Sequence, residues 1–249
     1  MDLNGKKVII TGGVGALGRS MVDGLVSDGA AVTVFDINPQ EFDSLMKAHP
    51  AVGCVECDVT NYDQVLAASA GYHQQFGAPD IVINNAGILY SSPLVKISAG
   101  GIEKHDVAMW NKVLSADLSS VFYVTVCFVE KMIAARTRGV IVNISSVASS
   151  GIPGASAYSA AKAGVNALTA AWAKELGPLG IRVVAVAPGF ADTQSTHAAT
   201  SARALTDTVS KVPLRRLAKP EEIAEGVLAA IKNDFFNGKV FELDGGLVL

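Results

Sequence analysis

A doubly wound parallel β-sheet covered by helices on both faces, a three-layer α/β/α arrangement in a single domain over residues 1–249, is the fold this sequence predicts. Three observations predict it. Apolar strands alternate with helical stretches along the whole chain. The strands are nearly continuous in hydrophobicity, as a parallel sheet buried on both faces requires. The first strand runs through a glycine-rich turn directly into helix-forming sequence.

In order, the expected elements are VII at 8–10, a helix from Leu17 to Ser27, AVTVFD at 31–36 and a helix after Pro39. CVECDV, a helix near 61–76, DIVINNAG and a long helical region around 107–136 come next. VIVNIS, a helix carrying Tyr158, IRVVAVAPG and a last strand KVFELD complete the chain. No Pro/Gly/Ser linker, short-period repeat or low-complexity tract interrupts the pattern, so one domain suffices.

Half of the 249 residues are hydrophobic and 17% are charged, enough for a large core. A net charge of −3 with scattered Lys and Arg gives no footprint for nucleic acid. No apolar run approaches the roughly 18 residues of a membrane span, because VFYVTVCFV is closed by Glu130 and Lys131. The polar start MDLNGKK leads straight into a strand, so the expectation is a soluble cytoplasmic protein without a targeting segment. Three cysteines argue against a disulfide framework. Cys54 and Cys57 form a C-x-x-C on a strand, where positions three apart face opposite ways, so no metal site is expected.

The chemistry concentrates in SSVASSGIPGASAYSAAK, residues 145–162. Tyr158 and Lys162 are four apart, which on a helix stacks phenol and ammonium on one face. A free phenol ionises near pH ~10 and a neighbouring cation favours the phenolate, so the pair suits general acid/base work. Ser145 or Ser146 can place a hydroxyl beside it. At the N-terminus, Thr11-Gly12-Gly13-Val14-Gly15-Ala16-Leu17-Gly18 is a turn whose backbone N–H groups can approach a pyrophosphate, the mark of a Rossmann-like crevice. Asp36 ends the second strand 18 residues after Gly18, placed to accept from the ribose hydroxyls and to repel a 2′-phosphate. No Arg or Lys occupies Gly15, Ile37 or Asn38, so NAD(H) is favoured over NADP(H).

With Asn84-Asn85-Ala86-Gly87 between these motifs, the chain from Leu3 to Gly246 resembles the short-chain dehydrogenase/reductase family, compact single-domain branch. Gly12, Gly15 and Gly18 alone also fit the spacing of the longer branch of sugar-nucleotide epimerases and dehydratases, but there is no room here for that branch's substrate domain. The resemblance implies reversible hydride transfer on a carbonyl or alcohol carbon. It assigns Tyr158 as acid/base, Lys162 to the nicotinamide ribose and to lowering the tyrosine pKa, and a serine to the substrate oxygen. Ser146 matches the family residue by local sequence, whereas Ser145 matches its usual interval to the tyrosine; Ser146 is assigned, with one residue missing between Ser149 and Ser156. Asp58 and Val59 correspond to the adenine-contacting pair, Asn85, Ala86 and Gly87 to the fourth-strand turn, and Pro188, Gly189 and Thr193 to the nicotinamide turn.

The clearest departure is Asp117, where the family has an asparagine whose backbone carbonyl holds a relay water. The carbonyl survives, but a negative charge is brought towards Lys162. Preserved catalysis, a changed pH dependence and reduced activity are all open. Reduced activity would suit a nucleotide-binding regulatory or assembly protein.

Between Ile88 and Trp110 lies a longer connection than the family's shortest members carry. It is read as surface decoration rather than a border of the substrate site, with His105 solvated. Residues 194–212 read as a mobile lid or a surface helix. Tyr90, Ile152, Phe190 and that segment offer no charged grip, which points to a small, neutral or weakly polar carbonyl or alcohol substrate. Family members usually form tetramers, so a homo-oligomer (tetramer or dimer) is expected. The face of Ala161, Val165, Leu168 and Trp172 suits either an interface or core.

Overall fold

A computed structural model describes residues 1–98 and 100–247. β1 (Lys7–Thr11), α1 (Ala16–Ser27), β2 (Ala31–Asp36), α2 (Phe42–Ala48), β3 (Gly53–Glu56), α3 (Tyr62–Phe76) and β4 (Ile81–Asn84) form the first half. A hairpin of β5 (Val95–Ser98) and β6 (Gly101–Lys104) precedes α4 (Val107–Leu114) and α5 (Ser120–Ala134), which one π-helical segment, Ser115–Ser119, joins. β7 (Gly139–Ile144), α6 (Ser156–Leu176), β8 (Ile181–Pro188), α7 (Gln194–Ala199), α8 (Ala202–Lys211), α9 (Pro220–Lys232) and β9 (Val240–Leu243) follow.

The main sheet has the order β3-β2-β1-β4-β7-β8-β9, with every pair parallel. The chain runs outward from β1 to β3 and then returns to start β4 on the other side of β1. The order therefore reverses between β1 and β4, and this leaves a crevice at the carboxyl ends of the strands.

Alternation along each strand divides the core in two. Val8, Ile10, Val32, Val34, Ile81 and Ile83 face α1 and α9, where they meet Met21, Leu25, Val227 and Ile231. Ile9, Phe35, Val82 and Ile141 face α3, α5 and α6, against Val65, Phe128 and Met132. Each such buried side chain is worth about 1.5–3 kcal/mol over its exposed state, which is why strands hydrophobic on both sides cannot remain at a surface. Asn61 caps α3 by accepting from the backbone N–H groups of Asp63 and Gln64, placing the helix start within a residue of the expectation. Cys54 packs on one core and Cys57 on the other, and no cluster of metal-ligating residues occurs among the described residues.

Three expectations change. The long helical region is interrupted at Ser115–Ser119 and ends at Ala134. Contrary to the reading that no stretch is long and apolar enough to span a membrane, the helix Val107–Ala134 is, with a mean hydropathy of 1.5 over its best window. Half of that window is buried inside the fold, so it serves as a core helix. The third change is the hairpin, which the Ser/Gly-rich connection did not announce.

Candidate active site

The glycine turn is built by close approach. Gly12 has φ +67°, and a Cβ there would lie 2.9 Å from Ala86 Cα. A Cβ on Gly18 would lie 2.1 Å from the Gly12 carbonyl oxygen. Gly15 differs: its nearest protein atom would be 3.7 Å away, and it opens α1 with no side-chain cap. The N-terminus of α1, Leu17 included, thus presents backbone N–H groups and partial positive charge to the crevice, a fit for a pyrophosphate.

Thr11 knits this turn to the next strand. Its hydroxyl accepts from the N–H groups of Asn85 and Ala86, each at 3.0 Å, while the Asn85 amide donates to the carbonyls of Thr11 (3.1 Å) and Gly12 (2.9 Å). The buried Asp36 carboxylate accepts from Val14 N–H at 3.1 Å and Asn38 N–H at 3.0 Å. A carboxylate has about four acceptor sites, so capacity remains for ribose hydroxyls. Arg19, the cation beside this turn, is engaged by Glu41 at 2.9 Å and by the Val14 carbonyl at 2.9 Å.

Asp58 follows β3 and accepts from the Thr60 hydroxyl at 2.7 Å and the Thr60 N–H at 2.9 Å; Val59 is buried in the second core. Pro188 ends β8, and Gly189 donates to the Leu243 carbonyl at 2.8 Å, so close to Asp244 that a Cβ would meet its Cα at 2.8 Å. Thr193 caps α7 by accepting from Thr196 N–H at 3.2 Å.

Across the crevice, α6 places Tyr158 and Lys162 one turn apart, with Lys162 Nζ 5.5 Å from the centre of the phenol ring. Lys162 Nζ donates to the Ile144 carbonyl at 2.9 Å and pairs with Asp117 Oδ1 at 3.2 Å. The other Asp117 oxygen accepts from Ile88 N–H at 3.1 Å. Asp117 lies within the π segment, whose hydrogen bonds span one residue more than those of an α-helix; its side chain is 1% exposed and that of Lys162 is 5% exposed. Burial would lower the Lys162 pKa, but Asp117 and then Tyr158 outweigh it and the net displacement is upward. For Asp117, burial pushes the carboxyl up against the pull of the Lys162 ammonium and the Ile88 N–H. Burial also pushes the Tyr158 phenol up; Lys162 pulls it down, Asp117 pushes it up again, and the Ser146 hydroxyl pulls it down, for a net rise.

The two serines separate cleanly. Ser145 is buried, its hydroxyl 2.6 Å from Asn166 Oδ1, whereas Ser146 caps the following turn by accepting from Ala148 N–H and acts on Tyr158.

The connection after Ile88 corrects two expectations. All eight strand residues of the hairpin are exposed, but its base is not surface decoration. Ser92 N–H and the Ser91 hydroxyl donate to the Gly154 carbonyl, and Tyr90 and Trp110 pack in the same cluster as Tyr158. His105 is not solvated: its ring stands edge-on to Tyr90 and Trp110, and Nδ1 is 3.3 Å from the Pro93 carbonyl. The lid segment is helical, as α7 and α8. On α6, Ala161 and Val165 serve the core, while Leu168 and Trp172 are half-buried.

The sequence reading missed a polar thread through the sheet. The Asn84 amide donates to Asn143 Oδ1 at 2.8 Å and to the Thr125 hydroxyl at 3.0 Å, and the Asn143 amide donates to Thr169 at 2.8 Å. It pins α5 and α6 to β4 and β7. Polar residues at the ends of apolar strands were its only sequence signal.

Known proteins resemble this chain over most of its length. The family model for short chain dehydrogenase matches residues 6–204. The 3-oxoacyl-(acyl-carrier-protein) reductase FabG of Thermotoga maritima is 38% identical over 256 aligned positions that cover 100% of both chains. Gluconate 5-dehydrogenase of Gluconobacter oxydans is 32% identical, with 100% of this chain and 96% of that one covered. A solved structure assigned as a gluconate dehydrogenase, from Agrobacterium tumefaciens, superimposes with a TM-score of 0.90 at 29% identity, covering 100% of this chain and 98% of that one. With its parallel sheet, glycine crevice and facing tyrosine and lysine, this chain belongs to the short-chain dehydrogenase family of oxidoreductases acting on CH–OH and C=O groups.

Proposed function

We propose that the chain oxidises or reduces the alcohol or carbonyl carbon of a small, neutral or weakly polar molecule, using NAD(H), with Tyr158 as general acid/base. NAD(H), when bound, supplies or accepts the hydride. The observation that carries this reading is the placing of Tyr158 and Lys162 on one face of α6, at the open ends of the parallel strands. Two of the three Lys162 N–H groups are engaged by Ile144 and Asp117, which leaves one for the nicotinamide ribose. Ser146 orients the substrate oxygen towards the phenol. NAD(H) is favoured over NADP(H) because Asp36 puts a carboxylate where a 2′-phosphate would sit and Arg19 is already paired with Glu41.

The names of the relatives direct the substrate search to 3-oxoacyl esters and to polyhydroxy acids such as gluconate. Tyr90, which packs with Tyr158, brings no charge to it, which favours the neutral ester class. A homo-oligomer (dimer or tetramer) in the cytoplasm is part of the same proposal. Nucleic acid and membrane are not among the proposed partners.

The test is Tyr158→Phe, assayed by NADH absorbance with ketones, 3-oxoacyl esters and keto-sugars. Turnover is expected to fall by about 10²–10⁴, with NADH affinity unchanged and NADPH binding weaker in both proteins. Undiminished turnover rejects the assignment. Asp117 favours a second reading, a nucleotide-binding protein with little catalysis; NADH binding without turnover across the panel would establish it.

A further inference from the structure

We infer that Asp117 is a positioning residue, the resident counter-ion of Lys162, which draws the ammonium's field away from Tyr158 and sets the site as a proton donor suited to carbonyl reduction at neutral pH. The inference rests on Tyr158 being the acid/base.

The geometry is closed. Asp117 Oδ1 lies 3.2 Å from Lys162 Nζ, and the other oxygen takes the Ile88 N–H at 3.1 Å. A Cβ on Gly87 would come within 2.3 Å of Oδ1 and 3.6 Å of Lys162 Nζ, so the pair is wedged against backbone and out of reach of bulk water. The groups facing it are few. α6 contributes Tyr158 and Lys162, the turn after β4 the Ile88 N–H, and the end of β7 the Ile144 carbonyl and the Ser146 hydroxyl. Among the described residues no further titratable group acts on any member of the Asp117, Tyr158 and Lys162 set.

A lone ammonium beside a phenol favours the phenolate; an ammonium neutralised at 3.2 Å by a carboxylate favours it far less. The Tyr158 phenol follows the same direction, since the Asp117 charge raises its pKa. In reduction the Tyr158 O–H bond breaks and its proton goes to the substrate oxygen as the carbon receives the hydride pair of NADH. The phenolate then recovers a proton from solvent. Oxidation is the reverse and requires the phenolate first. A phenol that stays protonated to higher pH keeps the reductive step at full strength through neutrality and moves the onset of oxidation to alkaline pH.

Asp117→Asn tests this, because it removes the charge at constant size and retains an acceptor for Ile88 N–H. Ultraviolet phenolate titrations, taken as the difference between each protein and its Tyr158→Phe counterpart, need no substrate. The Tyr158 midpoint is expected to fall by about one pH unit or more in Asp117→Asn. The alkaline onset of kcat/KM for oxidation of a secondary alcohol should move by the same amount, with NADH affinity kept. Asp117→Ser is the second variant and should shift the same way.

An unmoved or raised midpoint in a folded variant overturns the inference, and so does failure of both variants to fold, which would assign Asp117 to stability alone. Full activity in Tyr158→Phe would instead sink the parent assignment. A Tyr158 titration that is present but indifferent to residue 117 sinks only this inference.

Discussion

The glycine turn and the charged cluster face each other across one crevice, yet they hold their geometry by different means. At Gly12 and Gly18 shape comes from absence: two backbones touch where any side chain would collide. At Asp117, Tyr158 and Lys162 it comes from mutual compensation of buried charge, and size matters less than protonation. The first region should therefore fail sterically and all at once. The second should keep its fold through isosteric change and alter its titration.

The largest expected effect is on the turn. Gly18→Val drives a Cβ into the Gly12 carbonyl and should cost about 3 kcal/mol or more, with NADH binding lost; thermal unfolding and a fluorescence titration check it. Gly15→Ala sharpens the contrast. Its Cβ meets nothing nearer than 3.7 Å, so stability should hold while NADH affinity drops. Equal losses in both would show that Gly15 serves packing rather than ligand approach.

Next is the polar thread behind the cluster. Asn143→Ala leaves the Asn84 amide and the Thr169 hydroxyl without a partner they now share, at a cost of about 1–3 kcal/mol. Urea unfolding should show the loss with the Tyr158 titration unmoved; a moved titration would mean that the sheet interior and the active site are one electrostatic unit.

The smallest effect is at the thiols. Burial first, then Asp58 and Cys127, push the Cys57 thiol up to about 11, and Cys54 and Cys127 are also raised. Since thiolate is the reactive form, iodoacetamide labelling of the native protein at neutral pH should be slow and should accelerate on unfolding. Rapid native labelling would show that burial does not hold these thiols in their protonated form.

Much of this was legible in the chain. Strand runs, the glycine turn, Asp36 at the end of β2 and the four-residue spacing of Tyr158 and Lys162 are local patterns, and local patterns map directly onto faces and tips. The choice between Ser145 and Ser146 was harder, because adjacent residues leaving a strand point opposite ways and a single-residue change in loop length reverses the count. His105 was misread because its neighbours Tyr90, Pro93 and Trp110 become an enclosure only when the hairpin folds back.

By itself, then, the sequence determined the layered fold and the shared helix face of Tyr158 and Lys162, since both follow from periodicities of two and 3.6 residues, while the crevice they face was implied by the family resemblance. Tertiary structure alone supplied the geometry of the Asp117–Lys162 ion pair, the burial of Ser145 against Asn166, and the binding of the sheet to its helices by Asn84 and Asn143. Those are contacts between residues distant in the chain, and their energies depend on burial, which no local pattern records.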